Sequence, residues 1–280
     1  MTEIYCWSDG QWLDHWPLQD RGLQYGDGLF ETMRLCGQPG TGNHLHQSIP
    51  LWSYHRKRLQ AGIQKLAMPG NCLAEVEASF SRLPGLNKFS ALKLIVTRGV
   101  SARGYACSED NQATIQWQLS QAPEWRWGAK FKGLNIGVNP VQLGIQPCLA
   151  GIKHLNRLEQ VLARAQFHRG WDESLMLDTS GVVVEGCMSN VFWFKDQNWY
   201  TPELDQSGVQ GVIRRWFMDQ LEVRVQRTGV STLKSADAIV MTNAMMGIAP
   251  VSLLEERMFD MNHVALVSVR KLQQQLEDLF

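Results

Sequence analysis

The chain lacks the features that mark several large classes of protein. Its 27 basic residues equal its 27 acidic residues, so net charge does not favour a nucleic acid or a membrane surface as partner. No run of about 18 apolar residues occurs, which excludes an obvious membrane span. The first ten residues include acidic side chains and lack the basic and then apolar pattern of a signal peptide. We therefore expect a cytoplasmic protein with a small-molecule ligand.

Common cysteine, metal and nucleotide motifs are also missing. The six cysteines lie far apart without a CxxC pair, which is typical of free thiols in a reducing compartment. His44 and His46 have a spacing that could bind a metal from a strand, but no third ligand stands nearby, and we assign no metal. The chain has no Gly-x-Ser-x-Gly elbow, Walker loop or Rossmann fingerprint. Three common classes of enzyme are thereby removed.

The distribution of apolar residues predicts an α+β chain in two parts. A chain of 280 residues with 44% hydrophobic side chains can form one large domain or two. Pro123 and the polar, tryptophan-containing run to Trp127 interrupt the pattern, so we place a linker at residues 123–127. This gives a small N-terminal domain of residues 1–122 and a larger C-terminal domain of residues 128–280.

Short apolar segments predict strands, and longer amphipathic patterns predict helices. The predicted strands are 4–7, 29–36, 91–97, 113–119, 134–139, 174–177, 182–185, 191–194 and 238–242. The predicted helices are 51–66, 73–82, 154–168, 209–221 and 262–279. The third helix has one apolar face, which consists of Leu155, Leu158, Val161, Leu162 and Ala165.

Lys153 and Glu185 are the first candidates for chemistry. Lys153 lies in an apolar, glycine-containing turn, where poor solvation favours the neutral amine that a covalently reacting lysine needs. Glu185 follows an apolar strand, and a buried carboxylate is costly unless it meets a cation or donor, such as the pyridinium nitrogen of pyridoxal phosphate. On spacing alone, a solvated lysine and a salt bridge at a strand edge are the commoner explanations.

Two features could bind a phosphate. Gly208 and Gly211 open a predicted helix, and the first N–H groups of a helix can bind an anion. Arg58 could add a bidentate guanidinium from another element. Each signal is weak alone, because any helix can begin after a glycine turn and basic helix faces are usually solvated.

The N-terminal half holds candidates for contact with a substrate. After Tyr25-Gly-Asp-Gly, strand alternation places Thr32 and Arg34 on one face. Arg98 and Arg103 lie in a loop after a predicted strand, where a carboxylate could dock. A solvated basic loop is an equally plausible explanation of the two arginines.

Taken in chain order, these motifs resemble the class IV, fold-type IV family of pyridoxal-phosphate enzymes. The matching segments are Tyr25-Gly-Asp-Gly28, Lys57-Arg-Leu59, Gly151-Ile-Lys-His-Leu-Asn-Arg-Leu-Glu-Gln160, Glu185 with Ser189-Asn190, Gly208-Val-Gln-Gly-Val-Ile-Arg214 and Thr242-Asn243. The match runs from about Trp7 to Val251. Several weak signals in the right order make a strong one.

The resemblance implies pyridoxal 5'-phosphate as cofactor, with Lys153 bound to it covalently, Glu185 at its ring nitrogen, and the phosphate between Arg58 and other groups. The cofactor-binding residues that it implies are Lys153, Glu185, Arg58, the backbone at Val212 and Ile213, Thr242, Ser189 and Asn190. It also implies a small N-terminal α/β domain and a larger C-terminal β-barrel-like domain with flanking helices. A homodimer with the cofactor between the two domains is the implied assembly.

Within the family, the run from Leu149 to Val161 and the segments Arg98-Gly and Arg103-Gly-Tyr look most like the aminodeoxychorismate lyases. This resemblance implies cleavage of 4-amino-4-deoxychorismate into 4-aminobenzoate and pyruvate, a step of folate biosynthesis. The segments Cys187-Met188 and 43–51 depart from the family pattern or do not align with it, which puts details of substrate contact in doubt.

The lyase resemblance also implies roles for individual side chains. Lys153 acts as the general base, and Thr32 delivers a proton to the enolpyruvyl group directly or through water. The candidates for contact with the substrate are Tyr25, Arg34, Arg98 and Arg103.

Two alternatives remain from the sequence. An aminotransferase acting on branched-chain or D-amino acids shares every cofactor residue and differs only in the substrate pocket. A non-catalytic homologue that binds the cofactor is more distant, because a pure binding role does not require both Lys153 and Glu185.

Overall fold

A computed structural model describes residues 2–36, 48–84, 86–101, 104–108, 111–123 and 131–280. The chain divides into two compact units. The first unit is Met1–Pro123 with Ile152–Asn156 and Leu279–Phe280, and the second is Glu124–Gly151 with Arg157–Asp278. The segment that carries Lys153 thus belongs to the first unit although the chain on both sides of it belongs to the second. The sequence did not predict this feature, and the expected domain boundaries stay predictions.

The described residues form fourteen strands and seven helices. The strands are β1 (Glu3–Ser8), β2 (Gln11–Leu13), β3 (Gly28–Arg34), β4 (Ala91–Thr97), β5 (Thr114–Ser120), β6 (Leu134–Val138), β7 (Glu173–Leu177), β8 (Val183–Gly186), β9 (Asn190–Lys195), β10 (Asn198–Thr201), β11 (Val223–Val225), β12 (Ala238–Asn243), β13 (Gly247–Leu254) and β14 (Arg257–Met258). The helices are α1 (Arg21–Tyr25), α2 (Trp52–Lys65), α3 (Cys72–Ser81), α4 (Leu158–Ala165), α5 (Val212–Gln220), α6 (Val230–Lys234) and α7 (Ala265–Glu277), with a 3₁₀ turn at Leu86–Lys88.

The first unit contains a five-stranded antiparallel sheet in the order β2-β1-β5-β4-β3. Alternation along β4 buries Leu92, Leu94 and Val96 on one face of this sheet. On the same face, the indole N–H of Trp117 in β5 donates to the hydroxyl of Ser79 in α3 at 2.9 Å. This face therefore forms the core of the first unit, while the opposite face of β3 and β4 is only partly buried.

The second unit contains a nine-stranded sheet in the order β11-β10-β9-β12-β13-β6-β7-β8, with β14 paired to β13. The pairs β13–β6, β6–β7 and β10–β11 are parallel, and the other pairs are antiparallel. Its core is a cluster of buried apolar side chains that includes Ile136, Leu175, Trp193, Ile239 and Met241. Two sheets with separate helices confirm the predicted α+β class.

Every predicted strand is present in the structure, with ends that differ by no more than two residues. The largest element that the sequence analysis missed is β13, an apolar strand with Pro250 in its interior. Proline lacks an N–H donor and argues against a central strand, which is why the pattern gave no strand there. Strands β10, β11 and β14 and helices α1 and α6 were also not predicted.

The predicted helix 154–168 is wrong at its start, because α4 begins only at Leu158. The N–H of Phe30 donates to the carbonyl of Lys153 at 2.9 Å, and the N–H of Leu155 donates to the carbonyl of Gly28 at 3.0 Å. These bonds hold the segment extended beside β3. The expected apolar face of the helix is also exposed, since only Ala163 of α4 is buried.

Among the described residues, no helix is both long and apolar enough to cross a membrane.

Gly99 is predicted to tolerate alanine far less well than Gly104, although both have a positive φ, at 87° and 90°. A Cβ at Gly99 would lie 1.7 Å from the carbonyl oxygen of Gln112, whereas nothing lies within 4 Å of a Cβ at Gly104. Gly104→Ala should cost only the backbone strain, about 1–2 kcal/mol. Gly99→Ala should lower the urea midpoint clearly further, and equal midpoints for the two variants would contradict this.

Candidate functional site

A short stretch of backbone pairing positions Lys153 in the first unit. Besides the hydrogen bonds at Phe30 and Leu155, the side-chain amide of Asn156 donates to the carbonyl of Gly26 at 3.2 Å. The ammonium of Lys153 lies 4.2 Å from the centre of the Phe30 ring, over its face. Lys153 is half-buried, and the backbone hydrogen bonds at Lys153 and Leu155 fix its main chain beside β3. The commoner explanation from the sequence, a lysine whose side chain extends into solvent, does not describe this environment.

Thr32 lies on the same face of β3 as Phe30, because side chains two positions apart in a strand point to one side. Thr32 pairs with Lys93 of β4. The amine of Lys93 lies 5.6 Å from the centre of the Phe30 ring. The partly buried face of β3 and β4 therefore carries Thr32 and Lys93, and the amines of Lys93 and Lys153 both lie near the Phe30 ring.

The opposite face of β3 carries Glu31, a carboxylate with 1% exposure. Arg58 of α2 donates from Nε to Oε1 at 2.8 Å and from Nη2 to Oε2. Nδ1 of His55, on the same helix, lies 2.6 Å from Oε2. Burial alone raises the pKa of Glu31, but the charges and hydrogen bonds of Arg58 and His55 lower it to about 2. Glu31 is therefore ionised, and Arg58 is not a solvated surface arginine.

His55 is also close enough to the amine of Lys153 to be affected by its charge. Burial lowers the pKa of His55, and Glu31 opposes this effect. The positive charges of Arg58 and Lys153 add to the lowering. Burial, which disfavours the charged imidazole, is therefore the largest influence on His55.

In the second unit, Glu185 at the end of β8 is 5% exposed and connects to a glycine turn. Its Oε2 accepts a hydrogen bond from the N–H of Val209 at 2.9 Å and lies 3.4 Å from the amide nitrogen of Asn190. The Asn190 amide donates to the carbonyl of Val209 at 2.8 Å and accepts from the N–H of Gly211 at 3.0 Å. Asn190 therefore ties the carboxylate to the start of α5.

The glycine turn brings the N-terminus of α5 close to Asn190. A Cβ at Gly211 would lie 2.0 Å from Oδ1 of Asn190, so only glycine allows this approach. Gly211 is the N-cap of α5 and provides no side-chain cap. The N–H groups of Val212 and Ile213 have no partner within the helix, and such groups bind anions.

Thr242 adds an orphaned hydroxyl to the second unit. It lies in β12, pairs in register with Asn190 and is 1% exposed. Among the described residues, no group forms a hydrogen bond with its buried Oγ1. A buried polar atom without a partner is rare and calls for a ligand or water. Thr242, Val212 and Ile213 together fit a ligand that carries a phosphate.

The comparisons with known proteins agree with this geometry. Residues 28–254 match the family described as amino-transferase class IV. The chain belongs to the amino-transferase class IV family. This match confirms the family resemblance seen in the sequence. The fold-type IV architecture that the resemblance implied is also confirmed.

Individual relatives divide into two kinds. An aminodeoxychorismate lyase from Vibrio harveyi is 33% identical over 88% of this chain and 90% of its own length. The crystal structure of 4-amino-4-deoxychorismate lyase from Pseudomonas aeruginosa has a TM-score of 0.82 and 35% identity, and covers 98% of each chain. A branched-chain amino acid aminotransferase from Escherichia coli has a TM-score of 0.75 at 20% identity, over 99% of this chain and 94% of its own. At 20% identity, the aminotransferase shows the fold alone.

Two arginines near Glu185, the half-buried Arg157 and the buried Arg214, were given no role by the sequence analysis. Burial lowers the pKa of Arg157 and lowers that of Arg214 to about 10, and in both cases the charge of Glu185 opposes the shift. Arg214 also donates to the hydroxyl of Thr201 and to a backbone carbonyl. Both arginines lie within motifs that carried the family resemblance. Their position in those motifs was the signal by which the sequence could have identified them as site residues.

Ser189, assigned to the cofactor from the resemblance, anchors a turn in the structure. Its hydroxyl donates to Oε2 of Glu173 at 2.8 Å. The same carboxylate accepts the N–H groups of Ser174, Cys187 and Met188. Burial raises the pKa of Glu173, and these hydrogen bonds oppose the rise. A direct contact of Ser189 with the cofactor stays a prediction.

Arg98 has internal partners that weigh against the expected contact with a substrate. Its Nε and Nη2 donate to the carboxylate of Asp27, and its Nη1 and Nη2 donate to the carbonyls of Ala67 and Leu66. These bonds tie β4 to the end of α2. The substrate role of Arg98 stays a prediction, but the guanidinium would have to leave these hydrogen-bond partners to fulfil it.

The other expected substrate residues have different surroundings. Tyr25 packs against the ring of Tyr105, with centroids 5.3 Å apart, and under the guanidinium of Arg21. Arg34 is buried and donates to the carbonyl of Pro123 at 2.7 Å. Arg103 lies outside the described residues, as do His44 and His46. Within the part of the chain that is described, no group of three or more side chains could hold a metal.

Thr242→Val should leave the stability of the cofactor-free protein unchanged or raise it slightly, because it removes a buried hydroxyl that has no partner. Thr201→Val is the matched control. The Thr201 hydroxyl is equally buried but donates to the carbonyl of Val191 at 3.0 Å, so its loss should cost about 1–3 kcal/mol. Chemical unfolding of both variants checks this, and a Thr242→Val protein as unstable as Thr201→Val would contradict it.

Proposed function

We propose that this chain is a pyridoxal-phosphate-dependent lyase that splits 4-amino-4-deoxychorismate into 4-aminobenzoate and pyruvate, and thereby supplies a folate precursor. The observation that carries the proposal is the position of Lys153 over Phe30, on the face of β3 that also bears Thr32. A base and a hydroxyl on one surface suit a reaction that removes one proton and adds another. The similarity to two lyases at 33% and 35% identity supports the same substrate.

The residues present fit the cofactor. Lys153 would bind it covalently, and Glu185 would pair with its ring nitrogen. The phosphate would be bound by Arg58, by the N–H groups of Val212 and Ile213, and by the hydroxyl of Thr242. Asn190 would fix Glu185 and the glycine turn in register with each other. When bound, pyridoxal phosphate supplies an electron sink that stabilises negative charge next to the substrate amine.

The remaining chemistry falls to side chains of this chain. The free amine of Lys153 would take the proton from C4 of the substrate as general base. The hydroxyl of Thr32 delivers a proton to the methylene carbon of the enolpyruvyl group, directly or through one water. The C3–O bond breaks, pyruvate leaves, and the ring becomes aromatic, which makes the step effectively one-way. Arg34, Arg98 or Arg103 would bind the substrate carboxylates, and Tyr25 would line the ring pocket.

We also propose that the functional assembly is a homodimer, as the family resemblance implies. The exposed face of α4 supports this. Leu158, Val161 and Leu162 are 75%, 62% and 57% exposed, and they form an apolar patch within a single helix. Soluble proteins rarely leave such patches uncovered, and a second copy of the chain is the commonest cover.

The first experiment supplies 4-amino-4-deoxychorismate to the purified protein and follows both products. Pyruvate is measured by a coupled dehydrogenase and 4-aminobenzoate by its fluorescence, and the two should appear in equal amounts. Transfer of the amino group to 2-oxoglutarate without pyruvate would instead establish the aminotransferase alternative, which shares every cofactor residue with the lyase. A protein that binds the cofactor and turns over neither substrate would establish the non-catalytic alternative.

Thr32→Val should lower lyase turnover by about 10²–10⁴-fold, the usual contribution of a positioned proton donor. Thr32→Ser, which keeps the hydroxyl, should retain most of the activity. The visible absorption of the bound cofactor should be the same in both variants, because neither changes Lys153 or Glu185. Full turnover in Thr32→Val would remove Thr32 from the reaction.

Replacing Leu158 and Leu162 together by glutamate should shift the protein from dimer to monomer in analytical ultracentrifugation. The charges would have to be buried at the proposed contact, which is costly. Met258→Glu, at a residue of the second unit that is 74% exposed, is the matched control and should remain dimeric. An unchanged dimer in the double variant would place the interface elsewhere.

A further inference from the structure

Glu31 has no role in the proposed reaction, yet it is a fully buried carboxylate beside a proposed phosphate ligand. It lies on the face of β3 that is turned away from Thr32, against α2. We propose that Glu31 is a positioning residue that fixes the guanidinium of Arg58 for the phosphate of the cofactor, an inference that rests on the proposed function.

The geometry of the pair is bidentate. Nε and Nη2 of Arg58 donate to the two oxygens of Glu31, and Nη1 is not part of this pair. Two parallel hydrogen bonds fix the plane of a guanidinium as well as its position. A long arginine side chain that is not fixed loses rotamer entropy when it binds a ligand. Glu31 removes that cost before the phosphate arrives.

Glu31 is itself held from a second side. Nδ1 of His55 lies 2.6 Å from Oε2, and the side chains of His55 and Glu31 are 2% and 1% exposed. His55 and Arg58 are three residues apart on α2 and therefore share one face of that helix. The carboxylate cannot turn away from Arg58 without losing the imidazole. The network thus fixes one direction for the guanidinium.

A purely structural role for this network makes a different prediction. Buried ion pairs are weak evidence for stability, because desolvation offsets much of their attraction. A structural loss would affect every ligand of the site, whereas loss of positioning would affect only a ligand that carries the phosphate. Pyridoxal and pyridoxal phosphate differ in that group alone, so the ratio of their affinities separates the two explanations.

The same helix provides a matched control. Arg56 donates from Nε to Glu77 at 3.0 Å, but both side chains are about two-fifths exposed. Exposed ion pairs of this kind contribute little to stability. Glu77→Gln therefore makes the same chemical change as Glu31→Gln, but in the partner of Arg56, a neighbouring arginine of α2.

The experiment titrates the cofactor-free, full-length protein with pyridoxal phosphate and with pyridoxal. Glu31→Gln should weaken pyridoxal phosphate at least tenfold and leave pyridoxal unchanged, and Glu77→Gln should change neither. Unchanged affinity for pyridoxal phosphate in Glu31→Gln, or an equal loss for both ligands, would overturn the proposal. In an Arg58→Lys background, Glu31→Gln should cause no further phosphate-specific loss, and an additive loss would overturn it.

Glu31→Asp keeps the proposal testable if the glutamine variant does not fold. It retains the charge but withdraws the carboxylate from Arg58, so a smaller phosphate-specific loss is expected, and its absence would count against the positioning role. Turnover is not a readout of these titrations. A wild-type protein that prefers pyridoxal phosphate over pyridoxal but does not cleave 4-amino-4-deoxychorismate would refute the proposed lyase function and leave the role of Glu31 standing.

Discussion

The pairing of a short segment of backbone with β3 is the interaction on which the rest of the site depends. Two hydrogen bonds, at Phe30 and Leu155, draw Ile152–Asn156 into the first unit, while the chain before and after it belongs to the second. This pairing replaces the first turn of the helix that the sequence favours, and it places the amine of Lys153 over Phe30. A lysine at a free helix start would instead reach solvent.

Buried polar groups with specific partners organise what surrounds that lysine. In the first unit, Glu31 joins Arg58 and His55. In the second, Asn190 joins Glu185 to the glycine turn. A buried carboxylate is tolerated only where donors or cations satisfy it, so each network also fixes its members in place. The buried hydroxyl of Thr242, by contrast, has no partner among the described residues, and it is the kind of group that a ligand satisfies.

The sequence predicted the motif residues better than their environments. Lys153 and Glu185 could be found because their motifs are contiguous, and the strands could be found because alternation is local. The partners of Arg98 and Arg58 could not, since Asp27 and Glu31 are distant in the chain and only the tertiary fold brings them together. Periodicity also misjudged α4, whose apolar face is regular but exposed, because periodicity does not tell whether a face is covered within the chain or by a second copy.

The central claim is that Lys153 is the residue that binds the cofactor, and its most direct test is chemical. The protein is loaded with pyridoxal phosphate, reduced with borohydride to make the bond permanent, digested and analysed by mass spectrometry. We expect the cofactor mass on the peptide that contains Lys153. A label on the peptide of Lys93, the other amine at the Phe30 ring, or no label on any peptide, would contradict the account.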